Sequence, residues 1–259
     1  MKKFGLIGYP LEHSFSKQYY TEKFNRLGLN DHQYELFPLP VLSSFPQLLH
    51  DEPELCGLNV TIPHKIGILY YLNWISPEAK QANAVNCIKI IKKDPLHDLF
   101  SGECSLEPIQ LHGYNTDVYG FETSLKPLLR KSHNRALILG NGGAARAVQY
   151  VLKTLNIDFT IVSRKAGRAQ LSYDALSREV MQKHTLIINT TPLGTFPKVE
   201  ECPDIPFECL GSRHLLYDLI YNPQETEFLK RGRMQGAVTK NGLEMLELQA
   251  EKNWEIWQR

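Results

Sequence analysis

The sequence predicts an α/β protein of two units, and three observations carry that reading. Short apolar runs alternate with amphipathic segments along most of the chain, the pattern of strands linked by helices around a largely parallel sheet. A charged stretch with two prolines and a glycine, residues 92–112, breaks the alternation and reads as a surface excursion between strands. A second alternating series then follows and carries its own glycine-rich turn at Gly140. A chain of 259 residues has room for one large domain or two ordinary ones.

In the first series, Phe4–Ile7, Gln33–Phe37, Gly57–Val60 and Ala84–Ile91 are predicted strands, paired in parallel. Residues 16–29 and the segment after Pro63 are predicted helices, proline being favoured at the first helical position. The second series has a helix near Asp117–Leu129, a strand Ala136–Leu139 with a helix after it, and strands in DFTIVSR, TLIINTTP and HLLYDLIY. Asn241–Gln258 reads as one amphipathic helix. The expected division is 1–115, 116–238 and a C-terminal helical segment 239–259 packing back on the first domain.

Composition excludes several functions. Hydrophobic residues at 42% and charged residues at 22% suit a soluble chain with a real core. A net charge of +1 gives no support to nucleic-acid or membrane-surface binding. Cys56, Cys87, Cys104, Cys202 and Cys209 form no C-x-x-C pair, which fits a reducing cytoplasm and no metal site. The apolar run after Lys2 and Lys3 stops at Tyr9-Pro10, too short for a secretory signal, and no stretch reaches a membrane span. The expectation is a cytoplasmic protein, monomer or homodimer, whose partners are small molecules.

Residues 136–148, ALILGNGGAARAV, carry the clearest chemistry. A buried strand runs into Gly140, Asn141, Gly142, Gly143, Ala144 and Ala145, then a helix: G-x-G-x-x-A in the strand–turn–helix setting of a dinucleotide site. Gly140 permits the tight turn, Gly142 lets the backbone approach a pyrophosphate, and Ala145 lets the helix pack on the strand. The helix N-terminus then offers free N–H groups to phosphate. An NAD site would place an acid at the end of the next strand. Here Ser163, Arg164 and Lys165 stand there, with Arg168 after them. Guanidinium forks pair with a 2′-phosphate that a carboxylate would repel, so NADP is the expected cofactor. A solvated basic loop after a ligand-free glycine turn is the plainer alternative.

Two further stretches offer proton carriers. NVTIPHK puts Lys65 just inside the helix expected from Pro63, where like polarity would favour the neutral amine and a better base. GYNTD ends in Asp117 at the start of another helix. A lone lysine is more often a surface charge, and a lone aspartate at a helix start more often a cap. The stretch GYPLEHSFSK poses a similar choice: Ser14 and Ser16 are two apart, and in an extended segment their hydroxyls would face one way. Serines also start helices.

Taken in order, GYPLEHSFSK, NVTIPHK, ANAVN, GYNTD, GNGGAAR, SRK with Arg168, NTTPLG and GLEMLELQA resemble the shikimate dehydrogenases over essentially the whole chain. The resemblance implies an N-terminal α/β substrate-binding domain, a Rossmann-like NADP-binding domain, and reversible reduction of 3-dehydroshikimate to shikimate with NADPH. It further implies that Lys65 and Asp117 are the catalytic pair, lying together in a cleft between the domains. Ser14 and Ser16 would donate to the substrate carboxylate. Asn86 and Gln249 would bond ring hydroxyls, and Asn59, Thr61 and Tyr221 would line the pocket. Thr190 and Gly242 join the cofactor set. Asn83, Cys87 and Asn141 depart from the family pattern; asparagine tolerates a left-handed turn. Two readings stay beside this one: a relative that also uses quinate or NAD, and a non-catalytic NADP-binding sensor.

Overall fold

The computed structural model describes residues 1–11, 14–92, 109–164, 167 and 170–259. They form two compact units, Met1–Thr116 with Ala250–Arg259, and Asp117–Gln249. Lys165, Arg168 and residues 93–108 of the predicted excursion lie outside the described residues.

The first unit is built on six strands: β1 (Lys2–Gly8), β2 (His32–Pro38), β3 (Leu55–Val60), β4 (Trp74–Ile75), β5 (Cys87–Lys92) and β6 (Ile109–Tyr114). Their order is β2-β1-β3-β5-β6-β4. The pairings β1–β2, β1–β3 and β4–β6 are parallel, but β3–β5 and β5–β6 are antiparallel. The all-parallel expectation is therefore corrected to a mixed sheet. Antiparallel neighbours need no helical crossover between them, so the break in alternation after β5 was a sign of strand reversal. Residues 109–112, assigned to the excursion from sequence, belong to β6.

Both faces of this sheet are covered. The period of two sends Phe4 and Leu6 of β1 into one apolar cluster and Ile7 into another. The first cluster takes Tyr20 and Phe24 from the helix Phe15–Arg26 and Ala250, Ile256 and Trp257 from the C-terminal helix Leu243–Gln258. Trp257 Nε1 donates to the Ile88 carbonyl at 3.0 Å. Its indole lies so close to Gly57 that a Cβ there would sit 2.4 Å from it. The C-terminal helix begins at Leu243, after a strand Val238–Lys240, and so is shorter than the segment 239–259. Its residues from Ala250 onward belong to the first unit.

The second unit adds β7 (Arg135–Leu139), β8 (Asp158–Val162), β9 (Gln170–Leu171), β10 (Leu186–Asn189), β11 (Leu215–Asp218) and β12 (Val238–Lys240). All are parallel, in the order β12-β11-β10-β7-β8-β9. Read from β9, this is the doubly wound order 3-2-1-4-5-6 of a Rossmann sheet. Every residue of β10 and β11 is buried, as expected for parallel strands covered on both faces.

Candidate functional site

In the first unit the predicted polar residues form a connected set around the ends of β1, β3 and β5. Ser14 caps the helix Phe15–Arg26, its hydroxyl oxygen accepting the Ser16 N–H at 3.3 Å. The segment is thus a helix start and not extended, which corrects the same-face argument for the two serines. That bond uses a lone pair of Ser14 and leaves its proton for a ligand. Ser16 differs. It lies near Tyr34, which donates its single proton to Asn59 Oδ1 at 2.7 Å. Burial pushes the Tyr34 phenol well above its usual range, so the proton stays on at neutral pH.

Asn59 is buried and its Nδ2 donates to the Asn86 carbonyl at 3.3 Å. Both ends of its amide engage protein groups, so Asn59 braces the set. Asn86, also buried, accepts the Thr116 N–H on Oδ1 at 2.7 Å. Thr61 follows β3 and is held by its N–H to the Ile7 carbonyl at 2.9 Å. Asn83 ends the helix Pro77–Ala82 in the left-handed region at φ 50°, a conformation asparagine tolerates. Cys87 is fully buried against the Trp257 side of the sheet.

Lys65 is partly buried in a turn. The helix expected from Pro63 does not form; a short 3₁₀ helix, Gly67–Tyr71, comes later. The reason is tertiary: the Lys65 carbonyl accepts the Val85 N–H at 2.8 Å, a long-range partner in place of the fourth residue onward. The argument from like polarity at a helix N-terminus therefore has no basis in the fold, and Lys65 rests on its place beside Val85, next to Asn86 and just ahead of β5.

In the second unit the glycine-rich turn lies at the switch point of the sheet, between the C-terminal ends of β7 and β10, where open α/β sheets bind ligands. Gly140 has φ 102°, and a Cβ on it would meet Thr190 Oγ1 at 2.8 Å. Both facts demand glycine. Gly142 is different: its φ is −86°, and a Cβ there would meet nothing within 4 Å. No protein atom requires glycine at 142, which fits a backbone kept bare for a ligand.

Gly142 also starts the helix Gly143–Thr154 with no side-chain cap, so the N–H groups of Gly143, Ala144 and Ala145 face the turn uncapped. Asn141 is exposed beside them, and Ala145 is buried on the strand. Thr190 is tied to the turn, its Oγ1 donating to the Leu139 carbonyl at 2.7 Å. Ser163 follows β8, bonded through N–H to Leu171 and through Oγ to Gln170, each at 3.0 Å. Arg164 is exposed just after it. With no acid there, these residues fit a dinucleotide that carries a 2′-phosphate.

Asp117 is buried in the first turn of the helix Thr116–Leu125, whose N-terminus attracts a carboxylate. That helix packs on β11 through Phe121 against Tyr217, ring centroids 5.0 Å apart, and Ser124 Oγ lies 2.7 Å from the Tyr217 hydroxyl. Gln249 is half-buried on the C-terminal helix, Nε2 donating to the Leu246 carbonyl at 3.0 Å. Tyr221 lies three residues beyond β11. Gly242 owes its size to packing, since a Cβ would lie 2.1 Å from the Leu219 carbonyl oxygen.

Sequence reasoning missed Asp218, at the end of β11 and fully buried. It accepts from Thr226 Oγ1 at 2.6 Å, Asn189 Nδ2 at 3.0 Å and the Ile220 N–H at 3.1 Å. Asn189 Oδ1 in turn accepts Thr191 N–H at 3.0 Å and Thr191 Oγ1 at 2.7 Å. One carboxylate thus holds the loops that carry Thr190 and Tyr221. The available signal was an acid closing an otherwise apolar strand, LLYD. Burial raises the Asp218 carboxyl to about 6 against these three donors. The folded state therefore keeps its proton to higher pH than the unfolded chain, and stability falls as pH rises from about 4 to 6. Relative to Asp218→Asn, the wild type should lose roughly 3 kcal/mol between pH 4 and 7. Denaturant titrations of both across that window check it; a constant difference would show that the carboxyl titrates normally.

Both units have counterparts among known proteins. A family model described as the shikimate dehydrogenase substrate binding domain matches residues 6–88. A shikimate dehydrogenase (NADP(+)) of Clostridium beijerinckii is 38% identical over 273 residues, covering 100% of this chain and 92% of that protein. Among solved structures, a chorismate mutase/shikimate 5-dehydrogenase fusion protein from Clostridium acetobutylicum matches with TM-score 0.82 and 34% identity, over 99% of this chain and 91% of that one. The shikimate 5-dehydrogenase of Thermus thermophilus in complex with NADP(H) and shikimate matches with TM-score 0.80 and 29% identity, over 99% of this chain and 93% of that one. With likeness of this extent spanning both units, the chain belongs to the shikimate dehydrogenase family.

Proposed function

We propose that this protein catalyses the reversible, NADP-dependent reduction of 3-dehydroshikimate to shikimate, a step toward aromatic amino acids. The observation that carries the reading is full-length likeness to enzymes of that name, one of them solved with NADP(H) and shikimate. The glycine turn at a Rossmann switch point supports it independently.

NADP, when bound, supplies or accepts the hydride. Lys65 handles the proton: its ammonium gives one to the carbonyl oxygen as that oxygen becomes a hydroxyl, and the neutral amine takes it back in the reverse direction. Asp117 orients the ammonium as a hydrogen-bond acceptor. Ser14 donates its remaining proton to the substrate carboxylate, and Ser16 donates beside it. Asn86 and Gln249 bond the ring hydroxyls, with Asn59, Thr61 and Tyr221 around them. The N–H groups from Gly142 to Ala145 hold the pyrophosphate, Thr190 and Gly242 border the cofactor, and Arg164, with Lys165 and Arg168, meets the 2′-phosphate. Met1–Thr116 with Ala250–Arg259 act as the substrate-binding domain, and Asp117–Gln249 as the cofactor domain. No described helix is long and apolar enough to cross a membrane; we place the protein in the cytoplasm, as a monomer or homodimer acting on small molecules.

The test offers shikimate and quinate, each against NADP⁺ and NAD⁺, to the purified protein and follows cofactor reduction. Strong activity with shikimate and NADP⁺ alone is expected. Comparable rates with quinate or NAD⁺ would place the protein among broader-specificity relatives. Silence in all four arms, with NADP⁺ still bound, would sink the enzymatic reading and leave a sensor.

A further inference from the structure

Asn253 is a fully buried amide on the C-terminal helix, in the first unit, and no role in the reaction described above has been given to it. Its surroundings can be resolved by counting protons, because each hydroxyl has only one to give. The Tyr20 hydroxyl donates to the Ala250 carbonyl at 2.9 Å. Burial pushes the Tyr20 phenol well above its usual range, so it is protonated. Its additional hydrogen bond with the Asn253 side chain must then run from Asn253 Nδ2 to the Tyr20 oxygen. That assignment leaves Asn253 Oδ1 as an acceptor, 2.6 Å from Thr116 Oγ1.

Thr116 Oγ1 also lies 3.1 Å from Asn86 Oδ1. One proton cannot serve both oxygens. The shorter contact, to Asn253, takes it, and Asn86 Oδ1 is served by the Thr116 backbone N–H at 2.7 Å. Thr116 is buried between the two amides, so the direction of its O–H is decided by which of them claims the proton. The geometry points to Asn253 as a positioning residue: acting through Thr116, it fixes the direction of the Asn86 amide toward the substrate ring. This inference rests on the proposed role of Asn86 as a substrate contact.

In Asn253→Ala the Thr116 hydroxyl loses the acceptor that holds it, and the Asn86 amide packed against Thr116 loses its fixed neighbour. Losing one neutral hydrogen bond of this kind corresponds to about a 5- to 10-fold change in affinity. The expected result is a rise of that size in both KM and the calorimetric Kd for shikimate, with KM for NADP⁺ within about 2-fold of wild type. Thr116→Val cuts the same link without touching the C-terminal helix and should reproduce the split, whereas Thr116→Ser keeps the hydroxyl and should restore it. The double variant Asn253→Ala/Thr116→Val should be no worse than the poorer single one, since both remove one interaction.

Melting temperatures are recorded for every variant. A merely structural role would lower them while leaving the shikimate-against-NADP⁺ split flat, or would make the two losses add; either result overturns the inference. If Asn253→Ala does not fold, the Thr116 pair decides alone. A wild type that neither binds nor oxidises shikimate overturns the functional reading and this inference with it. A wild type that does both, with variants of unchanged shikimate affinity, overturns only the role of Asn253.

Discussion

Replacing Lys65 by alanine should lower turnover by at least ~100-fold, the lower end for removal of an acid–base group, with affinity for NADP⁺ close to wild type. The fold gives little reason for collateral damage. Lys65 sits in a turn, and the contact that anchors its backbone, the carbonyl to Val85 N–H at 2.8 Å, survives the change. What is lost is the amine. Because the proton moves only as the carbonyl becomes a hydroxyl, kcat and kcat/KM should fall together. Steady-state kinetics with shikimate and NADP⁺ decide the matter. Turnover within a few-fold of wild type would mean that another group carries the proton.

Arg164→Ala should weaken NADP⁺ by about 10- to 100-fold, the range for one charge-assisted bond to phosphate, and leave NAD⁺ nearly unchanged. The argument is positional. Arg164 is exposed immediately after β8, at the strand end where a Rossmann sheet meets the adenosine ribose. Ser163 beside it is already bonded to Leu171 and Gln170, so the strand end presents a basic group and no carboxylate. Titration of both cofactors into wild type and variant gives the comparison. Equal loss for the two would remove phosphate recognition as the role of Arg164.

The glycine turn was the most legible feature, because its requirements are local. A left-handed backbone at Gly140 and an uncapped helix start at Gly142 follow from a few consecutive residues. The C-terminal helix was legible too, since its apolar period repeats over sixteen residues. The helix after Pro63 was not: proline and its neighbours permit a helix, but the Lys65 carbonyl found Val85 instead. Asn83 shows the opposite case, a departure whose tolerance for positive φ was readable and which the backbone uses.

The residues themselves determined the two α/β units, the dinucleotide turn and the absence of an acid after β8, because each depends on periodicity or on side chains adjacent in the chain. Only the tertiary structure decided the antiparallel placement of β5 beside β3 and β6, and with it where Asn86 points its backbone. The same holds for the buried polar links: Tyr34 to Asn59, Asn189 to Asp218, and Thr116 to Asn253 across 137 residues of chain. A buried polar group must find a partner or be strongly penalised, but which partner is set by the strands and helices that packing brings alongside it. No local pattern in the sequence encodes that choice.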